Sequence, residues 1–275
     1  MPTFDTPEPI SVNLDLGVGD LLVLASDRAD TVVEVGPSDP ANRSDVTAAQ
    51  QTRVDYANGA LLIKAPKGWR RYSFRGDGES IEVRVELPTG SLLRGAVGVA
   101  TLRSRGTLGE MHYRAGAGDI TVEHLAGPAD LTTATGAVRV HRIDGAATIK
   151  NANGDTWIGE AGGDLQVKAA NGTISVGRAH AAVMAKTANG DVHLGAVAGG
   201  AVVAETACGT IEVAVRAGVA AWLDLHTGFG HVRNLLDTSS PPGPAENTVE
   251  VRARTSFGDI TLRRADVGER GKGAA

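Results

Sequence analysis

The feature that most constrains this chain is a glycine that returns every eighteen positions. Gly118, Gly136, Gly154, Gly172 and Gly190 are 18 apart, and Gly209 follows after 19. Halving the period finds Gly127, Gly145, Gly163 and Gly199 midway, with Ala181 at the remaining position. The unit is nine residues long: Gly, any, apolar, any, apolar, then a turn, as in "GDITV", "GAVRV", "GDLQV", "GTISV" and "GDVHL". Alternation at period two with Val and Ile favoured reads as a short strand with one buried face. A unit this short holds no helix-plus-strand and cannot bury its apolar edge alone, so the units must stack. The expected fold class is all-β: a β-solenoid of two-strand rungs with an 18-residue period and irregular β caps at both ends. Successive rungs are expected to lie about 4.8 Å apart, joined by parallel backbone hydrogen bonds.

Aligned columns follow from the period. Ile120, Val138, Thr156, Ile174 and Val192 form one inward column, and Val122, Val140, Ile158, Val176 and Leu194 the next. On the second sheet, Ala129, Ala147, Leu165, Val183 and Ala201 stand beside Leu131, Ile149, Val167, Ala185 and Val203. Asn153, Asn171 and Asn189 each precede the repeat Gly, and Asn-Gly is the pair best suited to a sharp reversal at positive φ. Stacked Asn side chains can also hydrogen-bond along the pile. A six-residue left-handed helix has the same 18 residues per turn, but stepping by six puts Thr132 and Asp144 in the core, which rejects it.

Outside the repeats the pattern loosens. "GDLLVLAS", "TVVEVG", "GALLIKAP" and "SIEVRVELP" read as strands, and "ANRSDVTAAQQTRV" as a loop or a short helix. After Gly209 the spacing stretches to Gly230 and Gly258 around the Pro-rich "TSSPPGPAEN". The expected organisation is an N-terminal β cap over 1–95, a regular solenoid over 96–217, irregular rungs or a cap over 218–264, and a disordered tail over 265–275. An open stack end would leave backbone unpaired, which is why caps are expected.

Several segments together resemble a bacterial family of β-strand-repeat proteins of unknown function, often given the label adhesin. They are "PSDPANRSDVTAAQQTRVDYANGALLIKAPKG", "SIEVRVELPTGS", "AKTANGDVHLG", "AAWLDLHTGFGHVRN" and "VRARTSFGDITLRRA". The likeness runs from about Phe4 to Ala265 and lies in the order of segments. It implies a β-solenoid and brings no catalytic residue and no cofactor.

Composition narrows the function classes. A net charge of −5 gives no global basic field to recruit nucleic acid, and no apolar run is long enough to span a membrane. The N-terminus "MPTFDTPEPISVNLDLG" lacks basic and apolar signal regions, which reads as cytoplasmic. The lone Cys208 allows no internal disulfide and is expected to be a small buried thiol.

Candidate chemistry is sparse. Asp119, Asp155 and Asp191 follow alternate repeat glycines, so they would stand about 10 Å apart, which suits neither glycosidase geometry. They read as turn residues. The Gly-Gly-x-Gly-x-Asp calcium roll is absent, and His193 falls on an outward column without metal-like spacing. Trp222 in "AAWLDL" reads as core. Lys150, Lys168 and Lys186, 18 apart, are expected to form a ladder of ammonium groups that deters edge aggregation or docks an acidic protein or polyanion. Trp157 occupies an outward position that is polar in most rungs, and "KGWRRYSFR" places Trp69, Arg70 and Arg71 in one loop suited to anion or carbohydrate contact.

The reading is a non-enzymatic binding or scaffold protein without cofactor, monomeric or a small homo-oligomer. A β-solenoid carbohydrate-active enzyme and a self-assembling filament are the alternatives.

Overall fold

The computed structural model describes residues 2–66, 79–236 and 248–265. Trp69, Arg70, Arg71, the Pro-rich stretch and the C-terminal tail lie outside the described residues. The chain forms two compact units, Met1–Gly154 and Asp155–Ala275. Both are built almost wholly from strands.

Unit 1 contains β1 (Thr3–Asp5), β2 (Ser11–Ser26), β3 (Asp30–Pro37), α1 (Arg43–Gln51), β4 (Arg53–Ala57), β5 (Ala60–Lys64) and β6 (Ser80–Pro88). They are followed by β7 (Leu92–Leu108), β8 (Met111–Ala117), β9 (Ile120–Leu125), β10 (Ala129–Thr135), β11 (Val138–Ile143) and β12 (Ala147–Asn153). β8, β10 and β12 pair in parallel, and so do β9 and β11, each with the 18-residue offset. The period extends upstream of the glycines, because β7 spans a whole rung, pairing Leu93 with Met111 and Leu102 with Ile120. β2 lies against both halves of β7 in the same way.

The outermost strands of unit 1 reverse direction. β4 pairs antiparallel with β5, and β3 with β6 and β1. The β4–β5 connection is the two-residue turn Asn58-Gly59, with φ of 50° and 74°, the Asn-Gly geometry that matches hairpin twist. Of the two readings of the polar segment after β3, the helix is correct. The Asn42 side chain accepts from the Ser44 N–H at 2.9 Å as N-cap. Buried Asp45 accepts from Asp39 N and Ser80 N, pinning α1 to β6.

Unit 2 contains β13 (Thr156–Ala161), β14 (Leu165–Asn171), β15 (Ile174–Ala179), β16 (Val183–Asn189), β17 (Val192–Val197) and β18 (Gly200–Cys208). Its remaining strands are β19 (Ile211–Val215), β20 (Ala220–Phe229), β21 (Val232–Asn234), β22 (Thr248–Phe257) and β23 (Ile260–Arg264). All pair in parallel, but the last rungs depart from chain order. β18 pairs with β22 and β22 with β20, while β19 pairs with β23 and β23 with β21. The final rung of the chain is thus inserted beneath the one made before it. The irregularity expected at this end is one of connection; each rung keeps the common geometry.

The inward columns are as the period dictates. Ile120 pairs with Val138 in unit 1, and Thr156, Ile174, Val192, Ile211 and Ile260 follow one another in unit 2, all at most 1% exposed. One column needs correction. Val183 pairs with Val202 and Ala185 with Ala204, so Ala201 and Val203 face outward. The extra residue at Gly199-Gly200, where Gly200 adopts φ +78°, shifts the register by one, and a one-residue slip turns every side chain to the other face.

The corner glycines are required for two reasons. Gly136, Gly154 and Gly190 have φ of 136–139°, and an added Cβ on each would lie 2.2 Å from the carbonyl oxygen of the preceding corner glycine. Contrary to the Asn-Gly expectation, only the glycine takes positive φ. Asn153, Asn171 and Asn189 end their strands, and Asn189 Nδ2 donates to Asn171 Oδ1 at 2.9 Å.

A second column, not anticipated from the glycine period, closes most corners from inside. Thr133, Thr187, Thr206, Thr255 and Thr227 donate their hydroxyls to the carbonyls of Gly118, Gly172, Gly190, Gly209 and Gly258 at 2.8–3.5 Å. In one rung Asn151 replaces Thr and donates Nδ2 to both Gly136 O and Gly154 O, at 3.0 and 2.9 Å. Ala169, eighteen residues on, has no side-chain donor to offer.

The core of unit 1 includes Tyr113, fully buried opposite Gly95. A Cβ on Gly95 would sit 2.7 Å from the Tyr113 ring, so the glycine vacates the ring's volume. Among the described residues the Tyr113 hydroxyl has no hydrogen-bond partner, and burial raises its pKa well above the usual phenol range. Tyr113→Phe is therefore expected to raise stability by about 1 kcal/mol, because a buried unpaired hydroxyl is removed. Urea titration checks this, and an unchanged or lower midpoint contradicts it.

Candidate functional site

Outward side chains in such a stack form arrays, because residues 18 apart in sequence become neighbours across a ladder. On β14, β16, β18, β22 and β20 one outward column reads Gln166, Met184, Val203, Arg252 and Asp224. The next reads Lys168, Lys186, Glu205, Arg254 and His226. Lys168 and Lys186 are direct partners in register. Lys150 lies in unit 1 on β12, exposed and opposite Thr132.

The array is charge-mixed. Lys186 Nζ lies 2.7 Å from a Glu205 oxygen, and Asp224 accepts Arg252 and Arg254 at 3.1 and 3.2 Å. Lys168 and Lys186 therefore repel less than a bare ladder would, since a carboxylate stands on the next rung. Trp157, on the other ladder of unit 2, pairs with Ser175 and is half-buried, so part of its indole is already covered. His193 is 3.7 Å from Glu212.

The acidic column has a structural occupation. Asp119, Asp155, Asp191 and Asp259 each accept the backbone N–H of a residue on the neighbouring rung, namely Ala137, Thr173, Thr210 and His231, at 2.7–2.8 Å. The His231 N–H, ahead of the nearby His231 and Arg233 charges, lowers the Asp259 pKa. At a second corner Glu160 holds Arg178 and His180 at 3.0 and 2.9 Å. Asp144 holds Arg142 and His124, and these two, Arg142 first, lower its pKa. Among the described residues no three His, Cys, Asp or Glu side chains converge on a point that could hold a metal ion.

Unit 1 carries a shallow groove over the outer face of β5, β2, β7, β8 and β10, lined by Arg94, His112 and Arg114 with Asp15 and Asp130. Arg94, His112 and Asp130 are 18 apart, so the period contained this array, although a search anchored on the first repeat glycine passes over it.

Two residues differ from expectation. Cys208 is exposed, because it replaces the corner Asn that ends each strand on the outside. Trp222 is 67% exposed. Its parity is that of Asp224 and His226, while Leu223 and Leu225 face inward against Val251 and Ala253. Phe229 and Phe257 continue the corner column beyond Cys208 and stack at 5.0 Å with planes 6° apart.

The repeated parallel rungs define a β-strand-repeat protein. The chain belongs to the Toastrack DUF4097 family, whose model matches residues 20–269. No curated protein matches it. Among solved structures it is similar to a candidate cell adhesion protein from Clostridium sporogenes, with 16% identity, 96% of this chain and 98% of that one covered, and a TM-score of 0.24. It is also similar to candidate adhesins from Bacteroides fragilis and Parabacteroides distasonis. Identity is 14% for both, coverage is 95% and 94% of this chain and 95% of each of theirs, and TM-scores are 0.38 and 0.36. No helix among the described residues is long and apolar enough to cross a membrane.

Proposed function

We propose that this chain is a non-enzymatic binding or scaffold protein that presents its outward arrays to a macromolecular partner. The observation that carries the reading is the occupation of the acidic column. The carboxylates that would be candidates for acid–base chemistry accept rung-to-rung backbone hydrogen bonds instead, and other outward carboxylates hold Arg, Lys or His of a neighbouring strand. What remains is ordered surface with a fixed repeat, which suits docking more than a reaction centre.

On unit 2 the paired Lys168 and Lys186 mark a surface proposed for an acidic partner or polyanion, and Lys150 on unit 1 is proposed as a separate contact for the same class of partner. Replacing all three by Gln is expected to reduce retention on an immobilised polyanion at low salt, with the wild-type advantage shrinking as salt screens it. Equal retention of the two proteins across the salt series would remove the lysines from the reading. Outward residues contribute little to stability, so both proteins should melt alike.

A further inference from the structure

β20 is unlike every other long strand of unit 2. One edge pairs with β22, and the other has no strand partner among the described residues. Its inward residues Leu223 and Leu225 are only half-buried, and Val232 of β21 is 44% exposed although its pairing partner Ile260 is fully buried. Among the described residues the apolar columns of the unit therefore end uncovered, with Trp222, Phe229 and Leu235 exposed beside them. Ten residues of open strand with apolar neighbours are an association surface unless something pairs with them.

Two stretches of the sequence beyond the described residues of unit 2 lack the features that mark a strand. Segment 237–247 carries Pro241, Pro242 and Pro244, which donate no backbone N–H, and 266–275 has no apolar alternation.

We propose that the open edge of β20 is an isologous docking surface for a second copy of this chain, paired antiparallel about Leu225. The register follows from the strand itself. A two-fold axis through Leu225 pairs residue 221 with 229 and uses nearly all of Ala220–Phe229. It places Asp224 opposite His226 of the copy, twice by symmetry, and brings Trp222 over Gly228, where an aromatic ring covers a strand glycine. An axis moved one residue toward the N-terminus would oppose Asp224 to itself. Inward residues stay on the inward side, so each copy covers the other's Leu223 and Leu225. Such a contact closes on itself and gives a dimer. A filament would need a second, different surface, and the outermost strands of unit 1, β1 and β4, are only three and five residues long.

The test is sedimentation of the full chain over a concentration series up to about 100 µM, with substitutions on the exposed side chains of β20. Wild type is expected at twice the chain mass. His226→Asp sets carboxylates opposite one another at both symmetric positions and is expected to weaken the dimer about tenfold or more. Adding Asp224→His to it restores opposite partners and dimerisation. His226 is exposed, so far-UV circular dichroism and melting should show His226→Asp folded as wild type. A wild type that stays monomeric throughout, or a dimer indifferent to both variants, overturns the proposal.

Discussion

Gly190→Ala is expected to destabilise the protein by about 3–5 kcal/mol, lowering its melting temperature by about 10 °C. The added Cβ would lie 2.2 Å from Gly172 O and 2.6 Å from its carbonyl carbon, and neither is the end of a flexible side chain. Relief requires the two rungs to move apart at the corner, which lengthens the hydrogen bond from Gly172 N to Asn189 O and its neighbours. The φ of 139° adds strain for any residue with a Cβ. Two controls separate these causes. Gly59 has φ +74° but open space around a Cβ, so Gly59→Ala should cost only about 1 kcal/mol of left-handed backbone strain. Gly36 has open space and no positive φ, and Gly36→Ala should leave the midpoint nearly unchanged. Similar losses at all three sites would sink the explanation by close rung approach.

Asn151→Ala is expected to cost about 2–4 kcal/mol, because two corner carbonyls lose their side-chain donor. Asn151 is 1% exposed, so water cannot readily replace the amide. Asn151→Thr should recover about half, since a hydroxyl has one hydrogen to give and serves one carbonyl, as Thr206 serves Gly190 O. Urea midpoints order the three proteins wild type, Thr, Ala. An Asn151→Thr variant as stable as wild type would show that the second donation, to Gly154 O, contributes nothing.

Both results bear on what a short repeat says about itself. The 18-residue glycine period was visible because a corner that needs positive φ and close backbone approach admits one residue type. Val and Ile columns were visible because alternation at period two has one inward face. The threonine column is interrupted by Asn151 and Ala169 and carries a weaker signal, because Thr is ordinary in strands and its task is visible only once the Gly carbonyl it caps is located. Trp222 and Cys208 depart from expectation for different reasons. The apolar neighbours of Trp222 suggest core, but its parity with Asp224 and His226 turns it outward. The chemistry of Cys208 suggests burial, but it continues the outward Asn column.

The amino-acid sequence by itself determined the repeat length, the strand register across the regular rungs up to β17 and most of the inward columns, because these follow from local backbone rules that those rungs obey alike. Tertiary structure decided what those rules leave open. It chose the order of the last rungs, placing β22 between β18 and β20, since identical parallel edges accept any rung of the same length and only the connection selects among them. It also assigned Asp119, Asp155 and Asp191 to backbone N–H groups one rung away, and gave the far edge of β20 no strand partner among the described residues.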